Sequence, residues 1–188
     1  MIDVALKFLV AELNGYLFAR TGALGNAGLS RIVDDAGKVV IPSPGLGVAL
    51  INIDEERVMK THLPSTVLIN GKQVLLEPEL KLNLTIIIAA NYGTYEDALR
   101  QLSWVLTFFQ SHPGFTRDRF PGLDPRIDRF VVELYSLTFD QLNQLWSCNG
   151  GRQLPSAVYR VRLVAVQDIE PVAIQPPVIE VGAAVHGS

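Results

Sequence analysis

Four groups of residues in this chain have the types and spacings from which chemistry is usually built. The densest is the acidic run Asp54-Glu55-Glu56, closed by Arg57, with Lys60 nearby. Neighbouring carboxylates do acid–base work when a pocket drives their pKa values apart. With two cations alongside, this run reads instead as an ion-pair cluster at a subunit contact. Gly22, Gly25 and Gly28 form a glycine-rich loop of the kind that cradles phosphate. That loop follows a helical pattern rather than a strand and lacks the Gly-Lys-Ser/Thr ending of a nucleotide site. His62, His112 and His186 lie far apart, with no His or Cys partner at ligand spacing, and His112 before Pro113 reads as a helix terminator. Cys148 is the single cysteine, which excludes an internal disulfide. With no charge beside it to lower its pKa, it is expected to be a semi-buried, inert thiol. No Gly-x-Ser-x-Gly elbow is present. No catalytic residue, metal site or cofactor is expected.

Two other distributions point to contacts between proteins. The chain has five lysines, all at or before Lys81, and eleven arginines, eight of them at or after Arg100. Arginine is enriched and lysine depleted at protein contacts, because the planar guanidinium is weakly hydrated and forms bidentate bonds. Chance placement is the alternative. Arg117, Arg119, Arg126 and Arg129 interleave with Asp118, Asp124 and Asp128. Such balanced charge suits salt-bridged subunit contacts better than a phosphate track. The tail from Val172 to Val185 is apolar and β-competent, with Val172, Ile174, Val178, Ile179 and Val181 punctuated by Pro176 and Pro177. An extended terminus of this kind is expected to dock, as a strand adding to a sheet edge; an unattached end is the alternative.

A length of 188 residues suits one domain with an appendage. Composition is 48% hydrophobic and 19% charged, with net charge −3 and mean hydropathy +0.25. This is too apolar for disorder and apolar for a free monomer, so some surface is expected to be hidden by partners. The near-balanced charge gives no basis for binding nucleic acid. The most apolar stretch, Ile2 to Phe18, is interrupted by Asp3, Lys7, Glu12 and Asn14, so no membrane insertion is expected. Acidic Asp3 sits where a secretory signal carries basic residues, so the protein is expected to be made in the cytoplasm and to be soluble.

The elements that would position these residues follow from periodicity. Ile2 to Ala19 is predicted helical and apolar on most sides, hence central in its domain or shared with a neighbour. Hairpins are predicted from Leu29 to Ile41 around Asp34-Asp35-Ala36-Gly37 and from Val67 to Leu76 around Asn70-Gly71, forming a peripheral lobe. Val48 to Glu55 alternates as a strand, and the apolar run Leu82 to Ala90 predicts a central strand covered on both faces. Thr94 caps a helix to Ser111, with Asp97 placed for a capping box. A strand from Phe130 to Leu137 precedes a helix from Phe139 to Trp146, capped by Thr138 with Gln141 and ended by Asn149-Gly150-Gly151. Val158 to Val166 is the last strand of the domain. The expected fold class is α/β (α+β): a mixed, mostly antiparallel sheet with two main helices packed on it, peripheral β-hairpins and an extended C-terminal tail.

In order and spacing, several of these segments resemble the tube-terminating cap (tail terminator) proteins of phage-tail-like contractile injection systems. They are Ile2 to Phe8; Val48-Ala49-Leu50-Ile51-Asn52-Ile53-Asp54-Glu55-Glu56-Arg57; Leu82 to Ala90 with Asn91-Tyr92; Tyr95 to Leu99 and Leu102 to Gln110; Leu134 to Leu137; Leu142 to Ser147; and Pro155 to Arg162. The resemblance covers residues 1–168, a single cap domain, and leaves 169–188 as the tail. It implies a structural, non-enzymatic protein that forms a homohexameric ring. That ring ends inner-tube polymerisation and anchors the last sheath layer, with the inner-tube and sheath proteins as partners and assembly in the cytoplasm. A collar or baseplate component of the same particle is the alternative, followed by a small-ligand-binding α/β domain.

Overall fold

The computed structural model describes residues 1–22, 26–56, 65–69, 72–76, 80–165 and 174–175. Its centre is a six-stranded sheet in the order β1-β2-β5-β8-β7-β6. The strands are β1 (Ala27–Leu29), β2 (Gly45–Glu55), β5 (Leu80–Asn91), β6 (Gly114–Thr116), β7 (Ile127–Leu134) and β8 (Ser156–Ala165). All pairs are antiparallel except β1 with β2. A second sheet of three strands joins the hairpin β3 (Ser65–Ile69) and β4 (Lys72–Leu76) to the short β9 (Ile174–Gln175). The mixed α+β class therefore agrees with the sequence. The Ile69–Lys72 pairing leaves two residues of chain between β3 and β4, the spacing expected of an Asn-Gly turn, although residues 70 and 71 lie outside the described residues.

Helices α1 (Ile2–Thr21) and α2 (Tyr95–Ser111) cover one face of the large sheet. Helix α1 is not buried all round: Ala5, Leu6, Leu9, Leu13 and Leu17 form a single buried stripe, while Phe18 is exposed. It stops where Gly22 takes φ of 68° and returns its N–H to the Phe18 carbonyl at 2.9 Å. Thr94 caps α2 by accepting the Asp97 N–H at 3.1 Å. The Asp97 carboxylate meets the Thr94 hydroxyl at 2.6 Å, so the reciprocal contact runs side chain to side chain. Between these helices and the sheet lies an aromatic cluster in which Phe8 packs edge-on against Phe115, Phe120 and Phe130, and Phe115 stacks on Phe130 at 4.6 Å.

Among the described residues, the opposite, outer face is covered at one end. There α3 (Phe139–Cys148) and the segment from Ile32 to Ile41 pack Ile32, Ile41, Trp146, Ile87, Ala89 and Val158 together. Thr138 and Gln141 form the full capping box, and Gly150 and Gly151 at φ of 72° and 70° end α3 with the Gly151 N–H on the Trp146 carbonyl. The predicted hairpin at 34–37 exists as a turn, closed by Asp34 and one Val33–Val39 bridge. Beyond that bridge the Val40 N–H bonds the Ile32 carbonyl at 3.0 Å, while the side chains of Ile32 and Ile41 pack into the outer-face cluster. Strand β7 starts and ends three residues earlier than the sequence suggests, because Ile127 is apolar and fully buried and extends the strand backward.

Candidate assembly interface

Several of the residues that could do chemistry make packing and backbone contacts. His112 stacks on Phe108 at 5.1 Å, with its Nδ1 3.1 Å from the Phe108 carbonyl. Cys148 is exposed rather than semi-buried, since it is the last residue of α3 and borders an open cleft. His62, His186 and Gly25 lie outside the described residues. The glycine loop is used as scaffold: Asn26 donates to the Pro44 carbonyl at 3.0 Å and accepts the Tyr92 hydroxyl at 2.7 Å. Burial pushes that hydroxyl's pKa up, as it does for Tyr159. Among the described residues there is no group of three or more His, Cys, Asp or Glu side chains able to hold a metal, and no charged residue is buried. None of the described helices is long and apolar enough to cross a membrane. A cavity of about 580 Å³ is an open cleft between α3, the Ile32 segment and Ile51 and Ile87 of the sheet. The guanidinium at its rim, Arg31, is already paired with Asp35 at 2.9 Å.

What the described residues do assemble is a charged lattice on the outer face, away from α3. Pairing registers align Asn52, Thr85, Arg160 and Glu133 in one row across β2, β5, β8 and β7, and Asp54, Asn83, Arg162 and Val131 in the next. Arg162 bonds Glu133 at 2.9 Å, and Arg160 lies over the Tyr135 ring at 4.4 Å. Asn83 donates to Glu56 at 3.0 Å, and Asn52 to Asp54 at 2.8 Å. The predicted acidic run is thus divided by the pleat. Asp54 and Glu56 stand on the outer face, Glu55 pairs opposite Leu82 on the helix-side face, and Arg57 lies outside the described residues.

In the arginine-rich connection, read from the sequence as salt-bridged contacts between subunits, two of the arginines pair within the chain. Arg126 grips Asp124 with both Nε and Nη2 at 2.9 Å, and Arg117 faces Asp128 at 3.9 Å. Arg119 instead lies over the Phe120 ring, 6.0 Å from its centroid, and Arg129 projects exposed from β7. Of the tail residues, Ile174 falls in β9, where it pairs with Val74. Val172, Val178, Ile179 and Val181 lie outside the described residues.

Sequence reasoning missed the apolar surface. On α2 the predicted stripe divides: Leu102, Val105 and Phe109 are buried, while Tyr95, Leu99 and Leu106 are exposed. Leu134 is 59% and Phe139 90% exposed. In β2 the residues from Leu50 to Glu55 are all exposed, among them Leu50, Ile51 and Ile53. The available signal was three aliphatics within four residues of strand, more than one buried face can absorb.

The described residues form a helix-covered sheet of the α+β class, with charged rows on its outer face and exposed aliphatics along β2. The chain belongs to the Pvc16 N-terminal domain family, whose model matches residues 6–180 and so runs beyond residue 168. No curated protein matches the chain in sequence. Among solved structures it is similar to the PVC sheath/tube terminator of an extracellular contractile injection system in the extended state, seen by cryo-electron microscopy. That match has a TM-score of 0.71 and 16% identity, over 100% of this chain and 64% of that one. It is also similar to the anti-feeding prophage cap (AFP tube terminating cap), with a TM-score of 0.62 and 16% identity over 92% of this chain and 58% of that one. The chain therefore spans under two thirds of the length of each, and at this identity the likeness is one of fold.

Proposed function

We propose that this protein is the terminating cap of a contractile injection system. Six copies form a ring on the last layer of inner tube and sheath, stop tube polymerisation and hold the sheath's distal end. The observation that carries this reading is membership of the Pvc16 N-terminal domain family across residues 6–180, supported by fold likeness to two tube-terminating proteins. The partners are further copies of the chain, the inner-tube protein and the sheath protein, brought together where the particle is assembled in the cytoplasm. The role is structural. A terminator needs one face matching the tube or sheath and another offering no further addition site, and a ring needs two different complementary patches per subunit. Exposed Leu50, Ile51 and Ile53 on one sheet edge and Arg119 and Arg129 at the other are suitable patches. In a strain making the particle, deletion of this protein is expected to yield tubes of uncontrolled length or particles without sheath, counted by electron microscopy. Particles of normal length and sheath content after deletion refute the cap role.

A further inference from the structure

Resting on that ring reading, we infer that neighbouring copies meet through opposite edges of the six-stranded sheet: the β2 segment Leu50–Glu55 of one copy lies against the β6–β7 edge of the next. The strand order supplies the two edges. Strand β1 pairs only with Leu46–Val48 of β2, so the following residues form the sheet boundary on that side among the described strands. At the other boundary β6 covers only Arg129–Val131 of β7, leaving Leu134 beyond it.

The edges match face by face. On the helix side, Leu50 and Ile53 stand opposite buried Ile86 and Leu84, and both remain 40% or more exposed at the boundary. On the same side of the other edge, Leu134 stands opposite Tyr159 and is 59% exposed. On the outer face the match is of charge. The Asp54 carboxylate accepts the Asn52 amide but has no cationic partner among the described residues. Arg129, also on the outer face, has no carboxylate partner among them. Strands β2 and β7 are three strand spacings apart, roughly 14 Å, so Asp54 and Arg129 cannot pair within one chain. Set edge to edge with outer faces continuous, Asp54 of one copy meets Arg129 of the next, with Leu50 and Ile53 against Leu134. The two edges differ, so the contact is heterologous and repeats around a closed ring.

Charge reversal tests this contact. The variants Asp54→Arg and Arg129→Glu are each expected to weaken self-association by about tenfold or more, read as mass by light scattering and sedimentation. Both residues are exposed, so the unfolding midpoint of each variant is expected to stay at the wild-type value. The double swap in one chain is expected to restore assembly. Mixing the two single variants is expected to give complexes of alternating copies larger than a dimer. A single reversal without effect, a double swap no better than the weaker single variant, or a monomeric wild-type chain overturns the inference. A ring that persists through both reversals counts against this contact and leaves the cap reading intact. A ring disrupted as expected while particles keep normal length counts against the cap reading and leaves the contact intact.

Discussion

Asp124 shows how much a single turn residue can be made to do. Its carboxylate accepts the backbone N–H of Arg126 and both Nε and Nη2 of the same side chain, each at 2.9 Å. These bonds, the side-chain pair foremost, hold its pKa down at about 2. The folded value lies below the unfolded one, so the stabilising contribution is complete above the ordinary carboxylate range near 4 and is lost as pH falls towards about 2. Carboxyl carbon shifts followed by NMR are expected to place the Asp124 midpoint near 2, and Arg126→Gln is expected to return it towards the ordinary value. Thr138 is a second residue with a separable role. Its hydroxyl accepts the Gln141 N–H at 3.3 Å, while the Gln141 side chain accepts the Thr138 N–H at 3.0 Å. In the ten-residue α3 only Trp146 is buried, so the cap is a large share of what holds that helix. Thr138→Ala is expected to cost about 1 kcal/mol in urea unfolding, and Thr138→Ser to cost less.

Elements were legible in the sequence where one physical signal dominated. The nearly continuous apolar run at Leu82 to Ala90 reads as a strand covered on both faces; it lies inside the sheet, fully buried from Ile86 to Ala90, while Asn83 and Thr85 are half-buried in the charged rows of the outer face. Thr94 and Thr138 both cap where their spacing to Asp97 and Gln141 says they should. The edge strands β1 and β6 were not legible, because three residues carry no periodicity and pairing is fixed by the neighbour strand. The outer-face packing of Ile32 and Ile41 was equally hidden, since a turn signal does not say whether its flanks pair or bury. That packing explains Gly47. A Cβ there would stand 2.5 Å from Cδ1 and Cγ1 of buried Ile41. Gly47→Ala is expected to destabilise by about 1–3 kcal/mol through overpacking, and adding Ile41→Ala is expected to recover part of it, which a double-mutant cycle of unfolding free energies measures. Strand β9 permits a test at the same scale. Its two residues give the β3–β4 hairpin a third strand, and a two-stranded hairpin alone is marginally stable. Truncation after Asp168 is expected to lower hydrogen-exchange protection in β3 and β4 while leaving that of β5 and β8 unchanged.

For the whole molecule, the candidate site was legible as a surplus rather than as a location. A chain 48% hydrophobic with 19% charged residues has more apolar surface than one domain of this size hides, but composition does not say where the excess lies. The acidic run was read as one cluster, but the pleat divides its carboxylates between two faces, and the aliphatics just before it are exposed as well. Ile53 separates the needs of the fold from those of the assembly. At 46% exposure it contributes little to the core of one chain, so Ile53→Thr is expected to change the unfolding free energy of the dissociated protein by less than about 0.5 kcal/mol. In the assembled ring the same side chain would be enclosed by a neighbour, and its replacement by a hydroxyl would bury a polar group in an apolar contact. Self-association is therefore expected to fall while the fold is untouched, with sedimentation reporting the first and urea unfolding the second. Equal loss in both measurements would assign Ile53 to the core of a single chain, and no loss in either would leave the exposed half of β2 without a partner.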